Sequence, residues 1–174
     1  MTAVTAHVPI MVNHNSESRE DRGISTLTQK SQERRTTARA SDDWRIARGD
    51  DAMPSLNDLG IGDTALEWHD RFLLRSDRHM PHAVFIACGE TLQSNWDMLR
   101  LGATLEDSLP DDLQVRFSQG CQQSLEEGRP VPVEGSYHDE DLHEILFRCV
   151  MMPVQAMNDG VEFVFGAYSH KVAA

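Results

Sequence analysis

The chain has 174 residues, with 16 basic and 28 acidic side chains and a net charge of −12 at pH 7. Its length suits one domain with a short extension, and so acidic a chain repels phosphate backbones, which argues against a nucleic-acid partner. No stretch approaches the roughly 20 apolar residues of a membrane span, and no apolar run near the start is long enough for a secretory signal. We expect a soluble, cytoplasmic protein.

The first 40 residues contain no aromatic side chain and are rich in Ser, Thr, Arg, Gln and Glu. Such a composition buries too little apolar area to offset the entropy lost on ordering. We therefore predict a flexible, largely disordered N-terminal tail over residues 1–40 and a folded domain over residues 41–174.

A helix is predicted from about residue 31 to residue 50, because Ala40, Trp44 and Ala47 fall on one helical face. This apolar stripe is narrow. We expect a cap helix that packs on a sheet or on a second copy of the chain.

Two strands are predicted next. Residues 64–75 begin like a helical turn and continue as a strand with Trp68, Phe72 and Leu74 on one side, and residues 82–89 form a short apolar run. Pro81 and Gly89 bound this second run, which is typical of a strand. Together the two strands predict a hairpin.

Helices follow the hairpin. Residues 90–101 carry Leu92, Trp96 and Leu99 at helical spacing, with Gly102 as the end signal. Residues 111–127 carry Phe117 and its neighbours at i+4 and i+8, which indicates a longer amphipathic helix with one buried stripe.

Three more strands are predicted over residues 131–138, 145–154 and 161–168. The last two are the most apolar part of the chain, and the turn between them ends in Asn158-Asp159-Gly160. The period of two places alternate residues of the fourth strand on opposite faces. One face takes Leu146, Arg148, Val150 and Met152, and the other takes Ile145, Phe147, Cys149 and Met151.

This order of elements resembles the PAS fold, in which helices interrupt a five-stranded antiparallel sheet after its second strand. The resemblance covers about residues 42–171. Within the PAS fold, the chain is most similar to a bacterial family of stand-alone PAS proteins. The matching motifs are Trp44 with Met53-Pro54, Phe85 with Gly89, Leu109-Pro110, Phe147-Arg148 and Met152-Pro153. It implies an α+β fold with helices on one face of the sheet and an N-terminal cap helix.

The resemblance also implies cofactor chemistries that can be compared with the residues present. Haem-binding PAS domains usually offer an axial His from the long helix, and residues 111–127 contain none. Flavin-photoadduct domains need a Cys ahead of that helix, and residues 98–110 contain none. Haem and flavin are therefore disfavoured, whereas an unknown small ligand stays possible.

The three cysteines stand far apart in apolar surroundings, without a C-x-x-C pair. We expect buried, reduced thiols, as is common in the cytoplasm. His79 with His82, and the acidic segment from His138 to His143, could in principle offer metal donors. No third His or Cys completes either set, so we predict no metal site.

Arg148 interrupts an apolar strand, and an unpaired buried charge is costly. It either pairs with Glu134 or Glu162 on an adjacent strand, or holds a ligand carboxylate or a partner's acidic side chain. The hypothetical ligand or partner site comprises Arg148, Phe85, Phe117, Met152 and Phe165. The hypothetical dimer or cap contact comprises Trp44, Ala40 and Ala47.

No nucleophile elbow, phosphate loop or H-E-x-x-H motif supports catalysis, so we expect no enzyme. The function expected is that of a sensory module without an output domain, which signals in trans through protein partners in a bacterial pathway, as a homodimer. The alternative is a small enzyme with a cavity, of the isomerase or hydratase kind.

Overall fold

The computed structural model describes residues 20–61, 68–76, 79–157 and 160–173, with side chains from residue 34 onward. The N-terminal helix α1 spans Glu20–Arg48. Strands β1 (Arg71–Ser76) and β2 (Val84–Cys88) follow, separated by a short 3₁₀ turn at Met80–His82. Helices α2 (Glu90–Asn95), α3 (Leu105–Ser108) and α4 (Asp111–Glu127) lead to β3 (Val131–His138), β4 (Glu144–Val154) and β5 (Glu162–Val172).

The strands form one antiparallel five-stranded sheet in the order β2-β1-β5-β4-β3. The α+β class, the open sheet and the helical insertion after the second strand are therefore confirmed. The turn residues Asn158 and Asp159 and the helical turn predicted at residues 64–67 lie outside the described residues.

The sheet separates two apolar cores. The inner core lies between the sheet and α2 to α4, and it takes Phe147, Cys149 and Met151 from β4. The outer core lies between the sheet and α1, and it takes Val150 and Met152 from the same strand. The two faces predicted for β4 are thus correct, and both are covered because both are apolar.

Glycine lets two elements approach each other closely. Gly166 of β5 lies opposite Phe72 of β1, and a Cβ atom at Gly166 would overlap the Phe72 ring, which covers that position in the inner core. Gly128 ends α4 with a φ of 65°, and its N–H donates to the Ser124 carbonyl at 2.9 Å. Glycine adopts this left-handed conformation without steric cost.

Helix α1 spans Glu20–Arg48, so it is described from 11 residues before the start predicted at about residue 31, within the segment for which we predicted a flexible, largely disordered tail. The Gln, Glu, Arg and Ala residues of that segment are good helix formers, and composition alone does not separate an isolated polar helix from a coil. The flexibility of the tail stays a prediction. Among the described helices, none is both long and apolar enough to cross a membrane.

Two details of the predicted core are wrong. Helix α2 ends at Asn95, because the backbone turns away after Trp96 and Asp97 has a φ of 46°. Leu99 therefore lies outside the helix and is 93% exposed. Trp68 lies in the outer core, whereas Phe72 and Leu74 lie in the inner core. Trp68 precedes β1, so the period of two does not extend to it.

Candidate functional site

Aromatic side chains line the centre of the inner core. The Trp96 ring lies 5.1 Å from Tyr168, 5.5 Å from Phe85 and 5.8 Å from Phe117, measured between ring centroids. Trp96 reaches this position from the C-terminal end of α2, and Phe117 from the buried face of α4. Such edge and tilted contacts are favourable for aromatic pairs.

Three polar groups are embedded among these rings. The hydroxyls of Tyr137 and Tyr168 lie 3.2 Å apart and form a buried hydrogen bond. The indole N–H of Trp96 is buried without an acceptor of good geometry, although it lies near enough to Tyr168 to act on the pKa of its hydroxyl. Burial raises the pKa of both tyrosines, so both hydroxyls stay protonated at neutral pH.

The outer core is built around Trp44. Its indole N–H donates to the backbone carbonyl of Pro153 at 2.8 Å, and Ala40 is fully buried one turn earlier on α1. Ala47, one turn later, is half-buried. Ala40 and Trp44 therefore pack on the sheet of their own chain, whereas Ala47 lines the open cleft beside α1, and a contact of these residues between two copies of the chain stays a prediction.

Arg148 lies on the outer face of β4, directly opposite Glu134 of β3. Its Nε is 3.4 Å from Glu134 Oε1, and the Arg148 side chain is 22% exposed while that of Glu134 is 61% exposed. Glu134 is one of the two acidic residues that we predicted to pair with Arg148, the other being Glu162. A partly exposed ion pair of this kind contributes about 0–1 kcal/mol to the free energy of unfolding. Its main effect is to give the Arg148 guanidinium an acceptor within the protein.

The five residues of the predicted ligand or partner site do not meet. Phe85 and Phe117 lie in the inner core, whereas Met152 and Phe165 lie in the outer core as directly opposed residues of β4 and β5. Arg148 lies on the outer face as well. The sheet separates the two groups, so they cannot contact one small ligand.

An open cleft of about 550 Å³ runs along the outer face between α1 and the start of β1. Its apolar wall includes Ile46, Trp68 and Phe165, and its charged rim includes an ion pair between Arg71 and Asp43. Ile46 is 78% exposed although its helix neighbour Trp44 is buried. This is where an apolar side chain of α1 faces solvent.

The histidines considered for metal binding remain near the surface. The rings of His79 and His82 lie 5.1 Å apart, and His143 Nδ1 lies 3.2 Å from Asp139 Oδ2. The backbone N–H of His143 donates to Asp139 and lowers the pKa of its carboxyl. In the part of the chain that the structure describes, no group of three His, Cys, Asp or Glu residues is placed to hold a metal, and no Asp, Glu or His is buried.

The sequence analysis missed two polar features of the inner core. One is the group formed by Trp96, Tyr137 and Tyr168; the signal available was the polar tip that each of these side chains carries at an apolar position. The other is a sulfur contact: the Sδ atom of Met151 lies 3.7 Å from Cys121 Sγ and 3.8 Å from Cys149 Sγ. No local sequence signal brings these three residues together.

Comparisons with known proteins find similarity in structure only. No family model matches the chain, and no curated protein sequence matches it. Three similar solved structures are the PAS-B domain of Drosophila melanogaster Cycle with bound ethylene glycol, a PAS domain from a two-component sensor histidine kinase, and a fungal LOV domain photoreceptor.

The similarity is distant in each case. The Cycle domain is 9% identical with a TM-score of 0.40 and covers 59% of this chain and 99% of its own. The kinase domain is 10% identical with a TM-score of 0.39, covering 58% of this chain and 85% of its own. The fungal domain is 14% identical with a TM-score of 0.39, covering 58% and 74%. At these scores, the ligands and partners of those proteins give no information about this chain.

Proposed function

We propose that this chain is a sensory and signalling module of the PAS type that acts in trans, through contact with protein partners and with a second copy of itself. The observation that carries the proposal is the outer face of the sheet. Helix α1 and the segment 53–61 that follows it cover that face, and an open cleft remains with the exposed Ile46 on its wall. The three free, buried cysteines agree with action in the cytoplasm.

The strand edges are less suited to self-association than the α1 face. The β2 edge already pairs with the segment before α3, since Phe85 N–H donates to the Ala103 carbonyl at 3.0 Å. The β3 edge carries Pro132, which removes a backbone donor from the strand. A partner that adds a strand would meet an edge already partly paired at β2 and an edge that lacks one backbone donor at β3.

The cleft beside α1 carries charges of both signs, with Arg39 and Arg71 near Asp43 and Asp58. In a two-fold symmetric contact the same patch meets itself, so such mixed charges allow each basic group to face an acidic one. The exposed apolar side chain of Ile46 would then lie near the centre of the contact, where burial stabilises association most. We therefore propose a homodimer formed through α1 and the cleft.

A ligand, if this module senses one, would bind in the inner core beside Phe85 and Phe117. What supports this placement is the unpaired indole N–H of Trp96, because a buried donor without an acceptor costs about 1–3 kcal/mol and a ligand oxygen could relieve that cost. Arg148 and Glu134 lie at the opposite face near the β3 edge, so they belong to a partner contact in this proposal.

The test measures assembly first, by native mass spectrometry and light scattering of the purified chain. We expect a dimer for the unchanged protein and a monomer for Ile46→Glu, since the substitution places a charge in the contact. Val115→Glu on α4 is the matched control, because Val115 is also an exposed apolar residue on a helix, at 57% exposure, but on the other side of the sheet. A monomeric unchanged protein, or a dimer that Ile46→Glu leaves intact, would refute the proposed assembly.

The same mass spectra test the ligand. Extra mass that persists in the native spectrum and disappears after denaturation supports a filled inner core, and Trp96→Phe should weaken its retention because it removes the donor. Retention unaffected by Trp96→Phe would place any ligand elsewhere.

A further inference from the structure

Three sulfur atoms converge in the inner core between α4 and the sheet. The Sγ atom of Cys121 lies 3.7 Å from the Sδ atom of Met151, and the Sγ atom of Cys149 lies 3.8 Å from the same Sδ atom. Cys121 comes from α4, while Cys149 and Met151 are next-but-one neighbours on the inner face of β4. All three side chains are buried.

Gly120 is what lets the helix bring Cys121 this close to the sheet. A Cβ atom at Gly120 would lie 2.5 Å from Val133 Cγ2 and 3.2 Å from Met151 Cγ, so a larger residue would push α4 away from β3 and β4. The hydroxyl of Ser124 donates to the Cys121 carbonyl at 2.8 Å, which fixes this turn of the helix. The convergence of the three sulfur atoms thus follows from close helix-to-sheet packing.

The two separations from Met151 Sδ to the cysteine Sγ atoms are close to those of sulfur atoms that share one metal ion. Metal–sulfur bonds of about 2.3 Å place two ligand atoms about 3.8 Å apart in tetrahedral geometry and about 4.0 Å apart in trigonal geometry. The observed distance of 3.8 Å equals the tetrahedral value, and the distance of 3.7 Å lies 0.1 Å below it. Sulfur atoms in plain packing contact have similar separations, and the experiment below distinguishes the two cases.

The ligand set selects the class of metal. Two thiols and a thioether are soft donors, which favour Cu(I), whereas structural zinc sites use four Cys or His ligands. Within the described residues, no His or carboxylate completes a zinc set at this position. We propose that Cys121, Cys149 and Met151 form a binding site for Cu(I), which goes beyond both the signalling role proposed above and the absence of a metal site expected from the sequence.

Binding replaces thiol protons by the metal. Each thiol releases its proton to solvent as its sulfur bonds to the cation. The bound ion would also tie α4 to β4 and stabilise the fold in proportion to its occupancy. Neither step changes the oxidation state of the copper.

The experiment uses the full chain, reduced and kept under argon, with Cu(I) supplied from a chromogenic chelator that competes for it. Loading is measured both on the folded protein and after refolding from urea in the presence of Cu(I), so that a closed core cannot hide the site. We expect one copper per chain, an X-ray absorption spectrum with sulfur neighbours alone at about 2.3 Å, and a raised unfolding temperature.

Variants distinguish the site from other thiols. Met151→Leu conserves side-chain volume and should retain the fold while lowering Cu(I) affinity at least tenfold. Cys149→Ala should abolish stoichiometric binding, and Cys88→Ala is the control because that buried thiol lies on β2, which β1 and β5 separate from β4.

The proposal is overturned if no copper is retained against the chelator after refolding, if Met151→Leu and Cys149→Ala leave binding unaffected, or if binding depends on Cys88. A disulfide between Cys121 and Cys149 in the copper-treated protein would overturn it too, because the two thiols would then act as a redox pair. Circular dichroism of each copper-free variant shows that it is folded before its binding is compared.

Discussion

Removal of the Trp44 indole should release α1 from the sheet. Trp44 is 3% exposed, and its N–H donates to the buried Pro153 carbonyl at 2.8 Å. Trp44→Ala removes both the packing and the hydrogen bond and should cost about 3–5 kcal/mol of unfolding free energy. Trp44→Phe keeps most of the ring but leaves the Pro153 carbonyl without its donor, which should cost about 1–3 kcal/mol.

The assay is urea unfolding followed by far-ultraviolet circular dichroism, because the loss of a tryptophan does not disturb that signal as it disturbs fluorescence. With a slope of about 2 kcal/mol per molar urea, Trp44→Ala should lower the midpoint by about 2 M. Hydrogen exchange measured by mass spectrometry should accelerate in the last two turns of α1 before it does in β4.

Ile46→Ala is the matched control, since Ile46 lies on the same helix and is 78% exposed. Measured on the monomer, at protein concentrations below those at which the proposed dimer forms, it should change the unfolding free energy by less than about 0.5 kcal/mol. The reasoning is refuted if Trp44→Ala costs under about 1 kcal/mol, or if Ile46→Ala costs as much as Trp44→Ala. Either result would mean that α1 is held by contacts other than its buried stripe.

Three further predictions concern stability. Burial raises the pKa of all three thiols from about 9, so at high pH the folded state keeps protons that the unfolded state loses. The free energy of unfolding is therefore constant below about pH 8 and should fall by about 4 kcal/mol in total by pH 10. A urea midpoint that does not change between these pH values would contradict this expectation. Gly166→Ala should destabilise by about 1–3 kcal/mol or more because its methyl group overlaps the Phe72 ring, and calorimetry would show no change if that ring can simply move aside. A double-mutant cycle with Arg148→Met and Glu134→Gln should give a coupling below about 1 kcal/mol; a larger value would mean that the pair is better shielded from water than its exposure indicates.

The elements that local patterns predicted well are those with an unbroken period. Helix α4 follows from the spacing of Phe117, Cys121 and Leu125, and its bounds agree with the prediction at both ends. The two faces of β4 follow from the period of two, because side chains of a strand must alternate. Arg148 was expected to pair with Glu134 or Glu162 because an unpaired buried charge is costly, and it pairs with Glu134.

The predictions that failed depended on where a period stops. Leu99 fits the helical spacing of α2, yet the helix has already ended at Asn95. Trp68 fits the alternation of β1, yet it precedes the strand and lies in the other core. A pattern of apolar residues does not show where the backbone leaves a helix or a strand. At the start of β1, this error placed the Trp68 side chain on the wrong side of the sheet.

The number and type of most elements follow from local patterns in the chain, since helical and strand periods are properties that each segment carries alone. These patterns also indicate that both faces of β4 need a cover, because both are apolar. Which elements supply those covers, and which residues meet there, depends on the fold of the whole chain. Phe85 and Phe165 are separated by the sheet, whereas Cys121 and Met151, 30 residues apart, touch through their sulfur atoms. Contacts of this kind arise from strand order and helix packing, which depend on the whole chain at once.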